Sequence, residues 1–538
     1  MEKKKSLKKS RLKLLRHGLG WIFCITLLFG AHAIFFTTNT YANDSKKTPQ
    51  DTLRVIAHIA TSWVVGNSVV EPLVYVDNEN NFVPNLAKQW TLGPEYIDLH
   101  LHQGVVFHDD TPFNSSSVLQ NWERYVETAA TKTPYFTLDL RLAIRDMEAL
   151  DAHTVRMYFH VDAFMGQILV YLRSFYMYSP TFFEAFNGRY PQGNQANILK
   201  AGPWGTGPYE ITKIQDGGAI SLLRANARYW QKGYPRTQNL EIYSPAALNT
   251  QEAYQWMIEG KADLFDAVSP SMLPILGKHA HLHRTLKYPT SHLTTLFNTR
   301  KPNSPLRDIR VREALNLLVD RHTLHRFVSQ GSARMTAFIL PLDESNGLQP
   351  YPYDPQRATL LLNEAGFNEA NPLPLVIGYY ISEEKLAKAI GAMLQSKGVA
   401  VEFEQYTTRQ EYYKHIKNYT HGPDNPIEGE RWDLSIVQSG LYTNTVATHF
   451  EAFYGKGGNR WIEVDNEADR LFLEAMHAPS WEKAQEKFVQ MELYLYQQHY
   501  SMPLFIWPSI FTMHQRIAHN SFSGSGYLLN LKEISIAK

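Results

Sequence analysis

Three histidines with alternating spacing are the first candidates for chemistry in this sequence. His279, His281 and His283 would point to one face of a β-strand, because successive side chains of a strand alternate between its two faces. Imidazole nitrogens are common metal ligands, so the three residues could form a metal site. A solvated edge strand shows the same spacing, and this is the interpretation we adopt.

Motifs of common enzymes are absent from the 538 residues. The chain has no His-Glu-x-x-His, no Gly-x-Ser-x-Gly and no paired-cysteine site. It also has no phosphate-binding Gly-Lys-Ser/Thr motif, so any ATPase that works with it must be another chain. We therefore predict a protein that is not an enzyme and holds no resident cofactor or metal.

The amino terminus has the three-part order of a secretory signal. Eight Lys and Arg residues lie between Met1 and His17, an apolar run follows at residues 19–29, and Ala31-His32-Ala33 fits a cleavage site. This predicts a signal peptide at residues 1–33, with a second possible cut after Ala42. Counting residues 34–36 as apolar brings the run close to a spanning length, so an uncleaved anchor is the alternative. Either way, the rest of the chain is predicted to lie outside the cytoplasm.

The single cysteine and the charge balance narrow the setting. Cys24 follows Phe23, and Trp21 lies two places before that, whereas a lipoprotein signal has a small residue and an aliphatic one there. We expect no lipid and no disulfide, which suits a free periplasmic protein.

Removing the leader takes eight basic residues and one acidic residue from totals of 53 and 52, leaving a net charge of −6. That charge argues against nucleic acid as a partner.

The elements that must position any site fall into two halves. A mature chain of about 500 residues is too long for one core, so we expect at least two domains. The first half is mixed, with strands predicted at residues 53–59, 98–102, 154–159, 219–224 and 240–243. In the second half helices at 309–319, 354–365, 383–397 and 481–499 alternate with strands at 375–379, 399–404, 432–437 and 504–507. This alternation predicts an α/β lobe with parallel strands, and the short tail after Met502 is expected to return to the first lobe.

Six short segments occur in an order typical of one protein family. They are EPLV at 71–74, VPNLAKQW at 83–90, LHLHQGVVFHDDTPFN at 99–114, GTGPY at 205–209, RVREAL at 310–315 and YDP at 353–355. Together they resemble the extracytoplasmic solute-binding proteins of the peptide/nickel family (family 5), over about residues 53–510. Turn and cap chemistry explains most of these residues, so we expect them to maintain the fold rather than to contact ligand.

The resemblance implies both a fold and a role. The fold is α/β, with two lobes joined by a hinge that close on a ligand and an extra subdomain in the first lobe. The first lobe would span residues 51–292 and 503–538, and the second 293–502. The role is the periplasmic substrate-binding component of an ABC importer, which passes a short peptide or a nickel or other metal chelate to permease subunits in the inner membrane. We expect a monomer; the alternative is a membrane-anchored sensor or scaffold that reuses the fold.

Three residues are candidate ligand contacts by this resemblance. The segment LRSFYMYSP at 172–180 is similar to the nickel-chelate branch, where an arginine at the position of Arg173 projects into the cleft and pairs with carboxylates. Trp63 falls where that branch has an apolar cleft residue, and Tyr442 lies in a second-lobe loop that carries ligand contacts in the family. The alternatives are a surface ion pair for Arg173 and core packing for Trp63 and Tyr442.

Departures from the family leave the ligand open. The loop SGLYTNT at 439–445 has neither the acid that holds a peptide ammonium nor the Trp and Asp-Pro of the nickel branch. His449 is near the branch's metal-contacting histidine but is not aligned with it. Asp110 stands where the family usually has glycine.

Overall fold

The computed structural model describes most of the chain beyond residue 50. The described residues are 51–58, 61–76, 82–93, 95–128, 140–142, 144–160, 172–173, 175–185, 202, 204–288, 292–301, 303–338, 347–408, 411–412, 431–439, 450, 454, 462–478, 481–522 and 529–537. The predictions for the leader, Cys24 and both cleavage sites lie outside these ranges.

The described chain contains the following α-helices and strands. The helices are α1 (Thr61–Val69), α2 (Ser115–Thr128), α3 (Pro180–Ala185), α4 (Thr250–Ile258), α5 (Leu273–Leu276), α6 (Ile309–Leu318), α7 (Arg321–Ser329), α8 (Pro355–Glu364), α9 (Glu384–Gln395), α10 (Asn466–Met476) and α11 (Trp481–Gln497). The strands are β1 (Thr52–Ile56), β2 (Glu71–Pro72), β3 (Val74–Val76), β4 (Phe82–Pro84), β5 (Ala87–Leu92), β6 (Tyr96–Leu101), β7 (Ile144–Asp151), β8 (Thr154–Phe159), β9 (Tyr176–Met177), β10 (Tyr209–Gln215), β11 (Ile220–Ala225), β12 (Asn239–Tyr243), β13 (Leu264–Phe265), β14 (Leu282–Lys287), β15 (His292–Phe297), β16 (Arg334–Met335), β17 (Pro374–Tyr380), β18 (Ala400–Tyr406), β19 (Leu434–Ser439), β20 (Ser501–Ile506), β21 (Ser509–His514), β22 (Ile517–His519) and β23 (Ser535–Ile536).

A seven-stranded sheet forms the first lobe, in the order β10-β11-β12-β1-β13-β21-β14. Its central strand β1 runs parallel to β12 and β13, whereas the pairs nearer the edges are antiparallel. Leu53, Val55 and Ile56 of β1 are fully buried. A strand covered on both faces has such an apolar sequence, which explains why β1 lies at the centre.

The extra subdomain of the first lobe is a four-stranded antiparallel sheet, in the order β5-β6-β8-β7, with α2 packed against it. Alternate residues of β6 and β8 are buried, as expected for a sheet with one solvated face. Val118 and Trp122 of α2 are buried in the same core as β1, so the subdomain shares the hydrophobic core of its lobe.

A six-stranded sheet forms the second lobe, in the order β16-β20-β15-β19-β17-β18. β17 runs parallel to β18 and β19 as predicted, whereas β15 pairs antiparallel with β19 and β20, and β16 antiparallel with β20. The predicted caps are also present. Asp308 accepts a hydrogen bond from the Arg310 N–H at 2.9 Å, and Asp354 accepts one from the Arg357 N–H at 2.9 Å. Gly398 follows the end of α9 in a left-handed conformation, with a φ of +84°.

The described chain passes between the two large sheets twice, between β14 and β15 and between β20 and β21. β20 pairs with β15 and β16 in the second sheet, while β21 pairs with β13 and β14 in the first. The return to the first sheet therefore occurs at residues 507–508, within a few residues of the predicted 503; the lobe bounds themselves stay predictions. Among the residues that the structure describes, no helix has the length and apolar character needed to cross a bilayer.

Candidate functional site

The first sheet is left and re-entered at the carboxyl edge of its parallel strands. Lys287 at the end of β14 pairs with Ser509 at the start of β21. β21 then runs antiparallel to β13, and Phe265 at the carboxyl end of β13 pairs with Thr512. Both connections to the second lobe therefore start from the edge where β1 and β13 end.

The second sheet receives both connections at the corresponding edge. His292, the first residue of β15, pairs with Ser439 at the carboxyl end of β19 and with Ile506 at the end of β20. Ligands of open α/β sheets bind outside the carboxyl ends of the strands. The space between these two edges, bordered by the two connections, is therefore the candidate ligand cleft.

His58 lies at the first-lobe edge of the cleft, directly after β1. Its backbone N–H donates to Asp266 Oδ1 at 2.7 Å, and its ring meets Phe265 edge-on with centroids 5.0 Å apart. Burial lowers the pKa of the imidazole, against the opposite effect of a backbone hydrogen bond with Leu248. A neutral imidazole is therefore held where β1 ends and α1 begins.

Tyrosines line the second-lobe edge. Tyr380 and Tyr406 end the parallel strands β17 and β18, and the ring of Tyr412 lies 6.2 and 6.0 Å from theirs. The Tyr412 hydroxyl donates to the backbone oxygen of Ile436 at 2.7 Å, which ties this cluster to β19. Tyr406 and Tyr412 are buried in the core of the lobe, so Tyr380 is the one of the three whose ring is partly exposed at this edge.

His292 stands where the first connection enters the second sheet. It is almost fully buried, and its Nδ1 lies 3.2 Å from the backbone oxygen of Phe338. Burial lowers the pKa of His292 to about 4, so the ring is neutral at physiological pH. This residue fixes the start of β15 rather than supplying charge to the cleft.

Arg173 is carried by a firmly held segment of the first lobe. The next strand, β9, pairs with β2, and buried Asn121 brackets Tyr178: its Nδ2 donates to the Tyr178 oxygen at 2.9 Å and its Oδ1 accepts from the Tyr178 N–H at 3.0 Å. Arg173 itself is half-buried. Burial lowers the pKa of its guanidinium, and nearby Tyr176 has the opposite, smaller effect. A partly desolvated guanidinium binds carboxylates more strongly than one in water.

The other two predicted contacts are placed less fully. Trp63 lies in the first turn of α1, at the carboxyl edge of β1, and its side chain is outside the described set. Because α1 leads into β2, the partner of β9, Trp63 and Arg173 lie on neighbouring segments of one lobe. Tyr442 lies outside the described residues; β19, the last described element before it, ends at Ser439.

The family motifs form a buried network away from the strand edges. The Glu71 carboxylate accepts hydrogen bonds from Tyr229 at 2.7 Å and from Thr206 and Trp230 at 2.9 Å. Burial raises the pKa of Glu71, although these bonds and the Lys532 ammonium have the opposite effect. A Cβ atom on Gly205 would lie 1.8 Å from the Val69 oxygen, so only glycine fits there.

Sequence reasoning missed two supporting residues, Asn121 and Lys532. Asn121 stands 57 positions from Tyr178, and Lys532 lies 461 positions from Glu71, so no local pattern reports either contact. Both also stand among other polar residues, Asn121 beside Gln120 and Lys532 beside Glu533, so polarity does not single them out.

The histidine pattern at 279–283 does not form the predicted strand. β14 begins at Leu282, so only His283 belongs to it, and it is indeed an edge strand. His279 and His281 precede the strand, with the His281 ring 5.3 Å from that of His514. Within the described ranges, no group of three or more His, Cys, Asp or Glu side chains is arranged to hold a metal ion.

Comparison with known proteins decides the family. Residues 81–461 match the bacterial extracellular solute-binding proteins, family 5. The chain belongs to this family. This membership confirms the resemblance predicted from the sequence. Proteins of the family are extracytoplasmic, and they bind solutes rather than act as enzymes.

Similar proteins differ in what their names say they bind. The glutathione-binding protein GsiB of Escherichia coli (strain K12) is 27% identical over 317 residues, which cover 58% of this chain and 58% of that protein. This alignment thus spans little more than half of GsiB. The di/tripeptide-binding protein 1 of Pseudomonas aeruginosa is 25% identical over 449 residues, 77% of this chain and 79% of that protein.

A solved relative shows the same two-lobe fold. NikA from Brucella suis, in complex with Fe(III)-EDTA, superposes with a TM-score of 0.76 at 17% identity, covering 91% of this chain and all of that one. The two-lobe fold expected for the family is therefore confirmed.

Proposed function

We propose that this family 5 protein is the periplasmic solute-binding component of an ABC importer. It captures a small ligand between its two lobes and delivers it to permease subunits in the inner membrane. The observation that carries the proposal is the facing of the two carboxyl edges across two chain connections, because that arrangement encloses a ligand when the lobes close.

The proposed ligand is a short peptide or metal chelate that carries carboxylate groups. Glutathione, di- and tripeptides and an EDTA chelate, which the similar proteins are named for or hold, share this chemistry. Arg173 would pair with such a carboxylate through its planar fork of donors. Trp63 and Tyr442 would contact the apolar part of the ligand from opposite lobes.

The setting proposed for the molecule follows from its leader. We infer removal of the signal after Ala33 or Ala42, no lipid on Cys24, a freely diffusing monomer, and lobes divided near 292 and 503. The alternative, a membrane-anchored sensor or scaffold, is favoured only by the apolar run at 19–36. Intact-mass analysis of the exported protein separates the two, since an anchored form would retain the leader.

The ligand and the role of Arg173 can be tested together by calorimetric titration. Glutathione, a tripeptide and the nickel(II)–histidine complex are titrated into the wild type, Arg173→Gln and, as a control, Arg224→Gln. Arg224 is an exposed first-lobe arginine whose contact with Glu210 is 3.1 Å. Losing charge-assisted hydrogen bonds worth about 1.5–3 kcal/mol should weaken binding by roughly 10- to 100-fold in Arg173→Gln only.

The outcomes separate the claims. Equal affinity in the wild type and Arg173→Gln removes Arg173 from the site. Failure of the wild type to bind any of the three probes contradicts the proposed ligand class.

A further inference from the structure

A tyrosine on the first connection touches the second lobe. Tyr288 directly follows β14, and its hydroxyl donates a hydrogen bond to the backbone oxygen of Ser332 at 2.8 Å. The Arg334 guanidinium carbon lies 4.9 Å from the centre of the Tyr288 ring, within the range of a cation–π contact. One side chain thus makes a polar and an aromatic contact with the same short segment.

The two ends of this contact belong to different lobes. The residue before Tyr288, Lys287, is fixed in the first lobe by its pairing with Ser509, and its ammonium lies 5.3 Å from the Phe522 ring. Arg334 belongs to β16, which pairs with Ile506 at the edge of the second sheet. Any rotation of one lobe relative to the other must therefore act on the Tyr288 contacts.

We propose that Tyr288 is a positioning residue that holds the two lobes at the angle seen in this structure and so sets how readily they change it. It directly follows Lys287, at the first-lobe edge of the candidate cleft. Its contacts would stabilise one conformation of the lobes over others, and a ligand that prefers another conformation must overcome them. The link to affinity rests on the proposed function; the link to lobe angle does not.

The size of the effect follows from the two contacts. A neutral hydrogen bond is worth about a five-fold change in an equilibrium constant. An exposed cation–π contact adds about a two- to five-fold change. Tyr288→Phe should therefore lower the equilibrium preference for this conformation by about five-fold, and Tyr288→Ala by about ten-fold or more.

The test measures the distance between the lobes without ligand. Spin labels are attached to the Lys278→Cys and Lys397→Cys variants of the full chain, which are exposed positions in the first and second lobes, with Cys24→Ser preventing a third label. Electron-spin distance distributions are then compared among the wild type, Tyr288→Phe, Tyr288→Ala and the control Tyr353→Phe. Tyr353 is 47% exposed and lies within the second lobe, just before α8.

The expected result is a graded change. The population at the wild-type distance falls in Tyr288→Phe and falls further in Tyr288→Ala, while Tyr353→Phe matches the wild type. Thermal unfolding midpoints of the three variants stay close together, because Tyr288 is 36% exposed and its loss opens no core cavity. An unchanged distribution in Tyr288→Ala, or an equal shift in Tyr353→Phe, overturns the proposal whatever the protein binds.

Discussion

Replacing Glu71 by alanine removes the acceptor at the centre of the buried motif network. Thr206, Tyr229 and Trp230 all donate to this carboxylate, and Thr206 and Tyr229 are at most 8% exposed. Water cannot readily replace the lost acceptor at such positions. Two buried donors and the partly buried Trp230 N–H are then left without their partner, which is more costly than losing three exposed hydrogen bonds.

The expected loss of stability is about 4 kcal/mol. Each unsatisfied buried donor costs about 1–3 kcal/mol, and the three share one acceptor, so their effects overlap rather than add. Half-buried Lys532 adds only a small further loss, since solvent screens its charge. Against a total of about 5–15 kcal/mol, a change of this size should be obvious in urea unfolding followed by tryptophan fluorescence.

Glutamine at the same position is the matched control. Glu71 Oε2 accepts from Thr206 and Trp230, while Oε1 accepts only from Tyr229, whose hydroxyl can instead accept a hydrogen bond. Glu71→Gln can therefore keep its oxygen toward Thr206 and Trp230 and donate to Tyr229, at a cost of about 1 kcal/mol. A loss below 1 kcal/mol in Glu71→Ala would refute the reasoning.

The pH dependence gives the same prediction a second check. Burial places the folded pKa of Glu71 above its ordinary value of 4.5. This group therefore contributes stability at pH values below about 4.5, and the contribution is lost as the pH rises through the folded pKa. The stability of the wild type relative to Glu71→Gln should fall as pH rises from 4 to 7. A rise over this range would mean that the carboxylate is the favoured buried form.

Two further predictions concern backbone positions. Asp110 has a φ of 69°, a conformation that glycine adopts freely and alanine does not. Both Asp110→Gly and Asp110→Ala lose the exposed contact with Arg228, so Asp110→Gly should be about 1 kcal/mol more stable in urea unfolding. Equal stability of the two variants would contradict this. Gly205→Ala should lower the free energy of unfolding by about 3 kcal/mol or more, because its Cβ would overlap the Val69 oxygen. Gly217→Ala, with open space around the new Cβ, should lower it by only about 1 kcal/mol. A thermal-shift assay on both variants checks this order.

The parts of the fold that the sequence predicted correctly are determined by short-range chemistry along the chain. Asp308 and Asp354 cap their helices by bonding backbone N–H groups two and three positions away, and Gly366 and Gly398 close helices in a left-handed conformation. Such signals act within one turn of chain, so they can be read without knowing the tertiary structure. The departure at Asp110 is equally local, because a positive φ is what makes glycine usual there.

The prediction of a strand through His279–His283 was wrong for the residues before Leu282. Alternation alone did not show that residues 278–281 form a turn, in which the Lys278 N–H bonds the Ile275 oxygen and the His279 N–H bonds the Leu276 oxygen. These bonds continue the end of α5 and compete with strand pairing. The pattern was right for the edge strand from Leu282 onward and wrong before it.

Different structural constraints act on the segments that identify the family and on the segments that would select the ligand. Glu71 and Gly205, which belong to the family motifs, are buried and closely surrounded, so few residue types satisfy their surroundings. Arg173 stands on a segment that Asn121 and β2 hold in place, and that support fixes where its guanidinium lies without fixing what it meets. Under the role proposed for Arg173, a carboxylate of a peptide, of glutathione or of a metal chelate would present the same pair of oxygens to its guanidinium. In the proposed complex, discrimination among these ligands falls to the opposite lobe, where the half-buried Tyr380 ends β17 at the facing edge.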